Sequence, residues 1–215
     1  IEVDYDVHPW AIEIDDAIKP DAPILHDFIK FDGKPSNIAG TLEHKKGNIE
    51  EGFKDADIII EKEFETAAVH QGYLETHACL VSVSPDDRTT IWSSSQGQFM
   101  VRAMTSFITG IPQSSIRAIP AEIGGGFGGK TIVYLEPVAT ILSKKSGRPV
   151  KMVMTREEVM RASGPTSGSK SKVKIGATND GKITAAQGTF YLQAGAFPGA
   201  PIRGAAGCCL APYDI

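Results

Sequence analysis

At 215 residues the chain is long enough to bury a core, as one ordinary domain or two small ones. Its 41% hydrophobic and 22% charged residues fit neither a disordered segment nor a membrane protein. No apolar run approaches the ~18 to 20 residues that cross a bilayer. In chain order, IEVDYDV alternates apolar and acidic residues with period two and predicts a half-exposed strand. The proline- and glycine-bearing stretches DAIKPDAPILHD and FDGKPSNIAG predict irregular chain. GNIEEGFKDAD predicts a short helix capped by Asn48, with Ile49 and Phe53 on one face. DIIIEKEFET predicts a long strand, and ACLVSVSPDDRTTIWSSSQ a hairpin turning at Pro85-Asp86-Asp87.

QFMVRAMTSFITG predicts a helix with Phe99, Met100, Ala103, Met104 and Phe107 on its apolar face, stopped by Gly110. IRAIPAEI predicts a strand and GGGFGGK a glycine loop. VYLEPVATILSKKSG predicts a helix ending at Gly147. VKMVMT predicts a strand, REEVMR a short helix, and the runs around Asn179-Asp180-Gly181 a final hairpin. Strands and helices in this mixed order imply an α+β fold with mixed sheets and packed helices, not a regular βαβ repeat.

Charge divides the chain more sharply than the net −4 suggests. Residues 1–65 carry 17 acidic and 7 basic side chains, and residues 66–215 carry 9 and 15, which marks a boundary near residue 65. The basic residues of the second part stand singly (Arg88, Arg102, Arg117, Lys151, Lys170, Lys172, Lys174). They lack the interleaved aromatics of a nucleic-acid groove, so no nucleic-acid partner is expected. Cys79, Cys208 and Cys209 have no metal-cradle spacing and make no secreted disulfide framework, which fits a reducing cytoplasmic setting. With no initiator Met and no signal peptide, the sequence reads as a piece of something longer.

The most informative stretch is Gly124-Gly125-Gly126-Phe127-Gly128-Gly129-Lys130-Thr131. It satisfies the phosphate-loop pattern GxxxxGK[ST] and also GxGxxG, because glycine lets backbone N–H groups approach an anion. The partners such loops need are missing. The next apolar strand, Val150 to Met154, ends in Thr155-Arg156 with no magnesium-binding Asp. For a dinucleotide fold Glu136 comes too early and Glu157 too late. A structural glycine turn is the plain alternative. Pattern alone leaves both readings open.

IGGGFGGK, with VHQGYLETHACLVSV upstream and SGRPVKMVMTREEVM downstream, resembles the large subunit of the molybdenum hydroxylases. DGKITAAQGTFYLQAGAF and APYDI follow in family order, so the resemblance covers the chain from about residue 1 to its end. That family includes xanthine dehydrogenase, aldehyde oxidase, aerobic carbon monoxide dehydrogenase and 4-hydroxybenzoyl-CoA reductase. The resemblance implies a molybdenum–pterin cofactor (molybdopterin or its cytosine dinucleotide) and oxidation of a small-molecule substrate with oxygen taken from water. It also implies [2Fe-2S] clusters and FAD on partner subunits or other domains, in an oligomeric complex. By family order, residues 1–40 are the C-terminal part of a substrate-side α/β domain and 41–57 a linker. Residues 58–215 are then the N-terminal portion of the molybdopterin-binding domain.

The same resemblance places Gln96 where the family has a glutamine hydrogen-bonded to an oxygen ligand of molybdenum. A neutral amide donates to such an oxygen without competing for the metal. Gly126 and Phe127 fall where the loop backbone passes the molybdenum centre. In purine-oxidising members a glutamate follows the glycine loop and an arginine follows the later Ala-Gly pair. Here those positions hold Thr131 and Pro198, so purines are disfavoured. Aldehydes, N-heteroaromatics, an acyl-CoA aromatic and carbon monoxide stay open. The family's glutamate base and most pterin contacts lie beyond Ile215, so no catalytic residue is assigned and the chain is expected to be inactive alone.

Three other groupings are weighed on their residues. Glu75, His77 and Cys79 would share one strand face but offer too few ligands for a structural zinc, so packing is expected. Cys208-Cys209 is expected to be buried small-apolar packing. Glu157-Glu158 is expected to be a solvated helix start.

Overall fold

A computed structural model describes residues 2–215; Ile1, the first residue of IEVDYDV, lies outside the described residues. In chain order the elements are α1 (Ile14–Ala17), β1 (Lys30–Phe31), β2 (Lys34–Pro35), α2 (Ile49–Lys54), β3 (Ile58–Thr66), β4 (Ala78–Val83), β5 (Thr89–Ser93) and α3 (Gln98–Thr109). After a 3-10 turn follow β6 (Ile116–Pro120), α4 (Glu136–Ser146), β7 (Val150–Val153), α5 (Arg156–Ala162), β8 (Ser169–Ala177), β9 (Ile183–Leu192) and α6 (Ile202–Cys208). The fold is α+β, as expected from the sequence. The chain forms two compact units, one from residues 2–68 with Ser167–Ile215, the other Val69–Thr166.

In the first unit, β3, β8 and β9 make an antiparallel sheet in that order. The register sets Glu61, Glu63 and Glu65 against Lys174, Lys172 and Lys170. Lys172 pairs with Glu61 at 2.8 Å, and Lys170 pairs with Asp15. Such exposed pairs add little stability each. What they settle is which face is polar, leaving Ile58, Ile60, Phe64, Val173 and Ile175 on the other. Asn48 caps α2 as expected, its side-chain oxygen accepting from the Glu50 and Glu51 N–H groups. The Asn179-Asp180-Gly181 hairpin joins β8 to β9 as expected.

Three expectations in this unit fail, the first at FDGKPSNIAG, where Phe31 and Lys34–Pro35 belong to the small antiparallel β1–β2 hairpin and are not irregular chain. Residues 2–7 of IEVDYDV form no strand, and Val3, Tyr5 and Val7 are exposed. A strand needs a neighbour for its backbone N–H and C=O groups, and among the described residues none pairs with this segment. Cys208 is exposed and Cys209 half-buried, not packed as a small-apolar pair. Both lie at the end of α6, where no residue of the helix is buried.

The second unit carries the four-stranded sheet β6-β5-β4-β7, mixed because β6 runs parallel to β5 while the other pairs are antiparallel. Alternation along β4 and β5 sends Cys79, Val81, Val83 and Ile91 into one core with Val101, Ile111, Ile116 and Ala139. The α3 helix is present and Gly110 closes it, but its core-facing side differs from expectation. Val101 and Thr105 are buried, whereas Phe99 and Phe107 are exposed. α3 packs against both α4 and β6, and Val101 joins the sheet-side core with Ala139 of α4. α4 starts at Glu136, later than the sequence suggested, with Pro137 in its first turn and Gly147 closing it. A full capping box between Thr155 and Glu158 starts α5, so Glu157-Glu158 is the helix start expected.

Candidate functional site

The glycine loop and the β5–α3 connection lie side by side in the second unit. Lys130 O accepts from the Gln96 N–H at 2.8 Å and from Ser95 Oγ at 3.1 Å. In return Gln96 Oε1 accepts from the Gly128 N–H at 3.0 Å and the Lys130 N–H at 3.2 Å. Two N–H donors on one atom identify it as the amide oxygen. The Nε2 group, with both its hydrogens, makes no hydrogen bond among the described residues, and Gln96 is an exposed residue. Gln98 Nε2 holds the same connection by donating to Ser93 O at 3.1 Å and Ser95 O at 3.3 Å.

Loop geometry matches this contact. A Cβ at Gly126 would come within 2.5 Å of Gln96 Oε1, so any larger residue there would displace the Gln96 amide or the loop. The Gly129 N–H closes the turn on Gly126 O at 2.7 Å. Between them Phe127 holds φ +47°, a left-handed conformation that costs a non-glycine residue energy, and its ring is 73% exposed. An exposed aromatic on a strained backbone is a feature of binding sites rather than of packing. Thr131 is exposed too, and its hydroxyl donates to Gly128 O at 3.1 Å. The structure thus brings Gln96, Phe127 and Thr131 to one exposed surface, with Gly126 buried against the Gln96 side chain.

Beneath the loop is a polar layer that the sequence did not reveal. Lys130 is 1% exposed, and its ammonium donates to Glu75 Oε2 at 2.6 Å and Thr76 O at 3.3 Å. Tyr73 is also 1% exposed; its hydroxyl lies 2.7 Å from His77 Nε2 and 2.9 Å from Ser163 Oγ. Burial pushes the Glu75 carboxyl up. The hydrogen bonds from Lys130 and the Gly124 N–H outweigh it and hold the group below the usual carboxylate range. Burial, reinforced by the Lys130 charge, holds His77 below its ordinary value and hence neutral. Burial beside Glu136 raises the Cys79 thiol to about 12.

Two readings of these residues are settled. Glu75, His77 and Cys79 do not share a strand face, because β4 begins only at Ala78. Glu75 turns to Lys130, His77 to Tyr73, and Cys79 into the core. No cluster of three or more His, Cys, Asp or Glu suited to a metal ion occurs among the described residues. The phosphate-loop reading is not supported either. A phosphate-loop lysine reaches its ligand, whereas Lys130 is buried against a carboxylate. The N–H groups of Gly124, Gly128, Gly129 and Lys130 already have protein acceptors, and no helix starts at the loop.

Comparison with known proteins gives the chain a family. A family model for the molybdopterin cofactor-binding domain matches residues 30–215. Carbon monoxide dehydrogenase large chain from Hydrogenophaga pseudoflava is 33% identical, over 100% of this chain and 29% of its own length. Probable hypoxanthine oxidase XdhD from Escherichia coli K12 is 30% identical, over 92% of this chain and 24% of its own length. The solved CO dehydrogenase from Oligotropha carboxidovorans superposes with a TM-score of 0.71 at 30% identity, over 88% of this chain and 25% of that one. The chain spans about a quarter of the length of these relatives. By the extent of the family match and the shared fold, the chain belongs to the molybdopterin cofactor-binding domain family.

Proposed function

We propose that this chain is part of the molybdopterin-binding subunit of a molybdenum-dependent oxidoreductase. Its substrate is an aldehyde, an N-heteroaromatic or a similar small molecule, oxidised with oxygen from water. The observation that carries this reading is the fixed direction of the Gln96 amide. With Oε1 held by the Gly128 and Lys130 N–H groups, the two Nε2 hydrogens of this exposed residue are available to donate, and the missing side chain at Gly126 is what lets the amide lie against the loop. That donor set suits an oxygen ligand of molybdenum, and the residues present therefore fit the group. When bound, the molybdenum–pterin cofactor, as molybdopterin or its cytosine dinucleotide, supplies the redox chemistry. The protein's part is orientation: Gln96 donates, the Gly126 backbone permits close approach, and the Phe127 ring shields the site from water.

Thr131 belongs to the substrate pocket in this reading. Its hydroxyl is engaged by Gly128 O, and it brings no carboxylate with which to grip a purine. We assign [2Fe-2S] clusters and FAD to partner subunits or other domains of an oligomeric complex, in keeping with a relative named as a large chain. Residues 1–40 are the end of a smaller substrate-side domain, 41–57 a linker, and 58–215 the start of the molybdopterin-binding domain. No helix among the described residues is long and apolar enough to cross a membrane. Three free cysteines favour a reducing cytoplasm.

The test is Gln96→Ala in the full-length protein with its partners. Molybdenum and pterin content should persist, while dye reduction by aldehydes or N-heteroaromatics falls at least ~10-fold, the scale of losing an oriented donor. Undiminished turnover would overturn the reading.

A further inference from the structure

The ion pair beneath the loop, with Lys130 enclosed and Glu75 partly exposed, has no part in the chemistry just described, yet it touches both ends of the loop. Glu75 Oε2 accepts from the Gly124 N–H at 2.8 Å, where the loop starts, and from the Lys130 ammonium at 2.6 Å, where it ends. One carboxylate oxygen therefore ties the two ends together. Lys130 faces both ways. Its side chain, wholly enclosed, holds Glu75, Thr76 O and, 5.0 Å away, the Tyr73 ring. Its backbone N–H donates to Gln96 Oε1 and its carbonyl accepts from the Gln96 N–H. A single residue thus links the Glu75 contact to the Gln96 amide.

We propose that Glu75 and Lys130 are positioning residues, an ionic staple that fixes the glycine loop and, through the Lys130 backbone, the direction of the Gln96 amide. The inference rests on the reading of Gln96 given above. Net stability does not account for such a pair, because enclosing the Lys130 charge costs about as much as its attraction to the partly exposed Glu75 returns. An apolar pair of similar volume would fill the space equally well. What it would not do is hold Gly124 and Lys130 to one point while leaving the loop surface free of side chains. The close packing agrees: a Cβ on Gly124 would come within 2.7 Å of Glu75 Cβ.

The test uses the full-length protein with its partners and compares wild type, Gln96→Ala, Glu75→Asp and the double variant Glu75→Gln with Lys130→Met. The double variant removes both charges and so leaves none buried alone. Glu75→Asp keeps the charge on a side chain too short to reach both loop ends, and it decides the matter if the double variant fails to fold. The first readout is hydrogen exchange of the peptide spanning residues 124–130, with the β4–β5 hairpin as internal reference. The second is the molybdenum(V) electron paramagnetic resonance signal after dithionite reduction.

Loop exchange should quicken at least ~10-fold in the double variant and less in Glu75→Asp, with the hairpin unchanged, as expected for local rather than global opening. The resonance signal should shift in the direction seen for Gln96→Ala. Loop exchange at the wild-type rate would overturn the staple. Faster exchange with an unshifted signal would reduce the pair to a structural role and overturn its positioning role. A wild-type protein without molybdenum would instead overturn the reading of Gln96, and loop exchange would still report whether the staple holds the loop.

Discussion

Gly126 and Gln96 are in contact so close that a single methyl group on residue 126 would sit 2.5 Å from the Gln96 amide oxygen. Gly126→Ala must therefore push Gln96 off the Gly128 and Lys130 N–H groups or force the loop away. Either way the Nε2 donors lose their direction. We expect Gly126→Ala to lower turnover of the full-length enzyme by as much as Gln96→Ala, with the double variant no worse than either single one. Kinetics on the three variants check this, and independent, multiplying losses would show that the two residues do not act through one contact.

Acidification should loosen the second unit through His77. Burial holds the folded-state value of His77 below its ordinary 6.5, so the unfolded chain binds the proton first as pH falls. Stability from this group is present above about 6.5 and is lost as pH drops from there toward the folded value. Hydrogen exchange of the 70–79 peptide, corrected for intrinsic rate, should show less protection at pH 5.5 than at pH 7.5. His77→Gln should flatten that slope. Glu75 adds a separate loss at lower pH, since its folded value lies below the ordinary 4.5 and its contribution goes as pH falls through that folded value.

Ile91 is fully buried at the centre of the core beneath α3 and α4. Ile91→Ala removes its packing and leaves a cavity, at a cost of about 3 kcal/mol. Exchange of the slowest amides in the β4–β5 hairpin should rise roughly 100-fold, with molybdenum content unchanged. A change below threefold would mean that the core is centred elsewhere.

Local signals in the sequence reported local structure well. The Asn48 cap, the Asn179-Asp180-Gly181 turn, the Gly110 and Gly147 helix ends and the β4–β5 hairpin all depend on residues a few positions apart. Burial was less legible where tertiary contacts choose among apolar faces. In α3 packing on the sheet and α4 selects Val101 and Thr105 over the larger Phe99 and Phe107. IEVDYDV has the alternation of a strand, but alternation does not provide the neighbour that a strand must pair with.

For the site, the glycine loop and Gln96 stood out through their resemblance to a known family, whereas Glu75 and Lys130 did not. They lie 55 positions apart and neither carries a pattern that names the other. Lys130 was also misleading by itself, since a lysine after a glycine loop reads as a phosphate ligand until its burial against Glu75 is seen. Tyr73 escaped notice for a similar reason. Its hydroxyl partners, His77 and Ser163, come together only once α5 packs beside the segment before β4.

The most direct test of the account is molybdenum by mass spectrometry, with pterin fluorescence, on the native full-length protein purified with its partners. Near-stoichiometric molybdenum accompanied by pterin is the predicted result. Absence of both, together with tight magnesium–nucleotide binding that Lys130→Ala abolishes, would contradict it and return the glycine loop to phosphate chemistry.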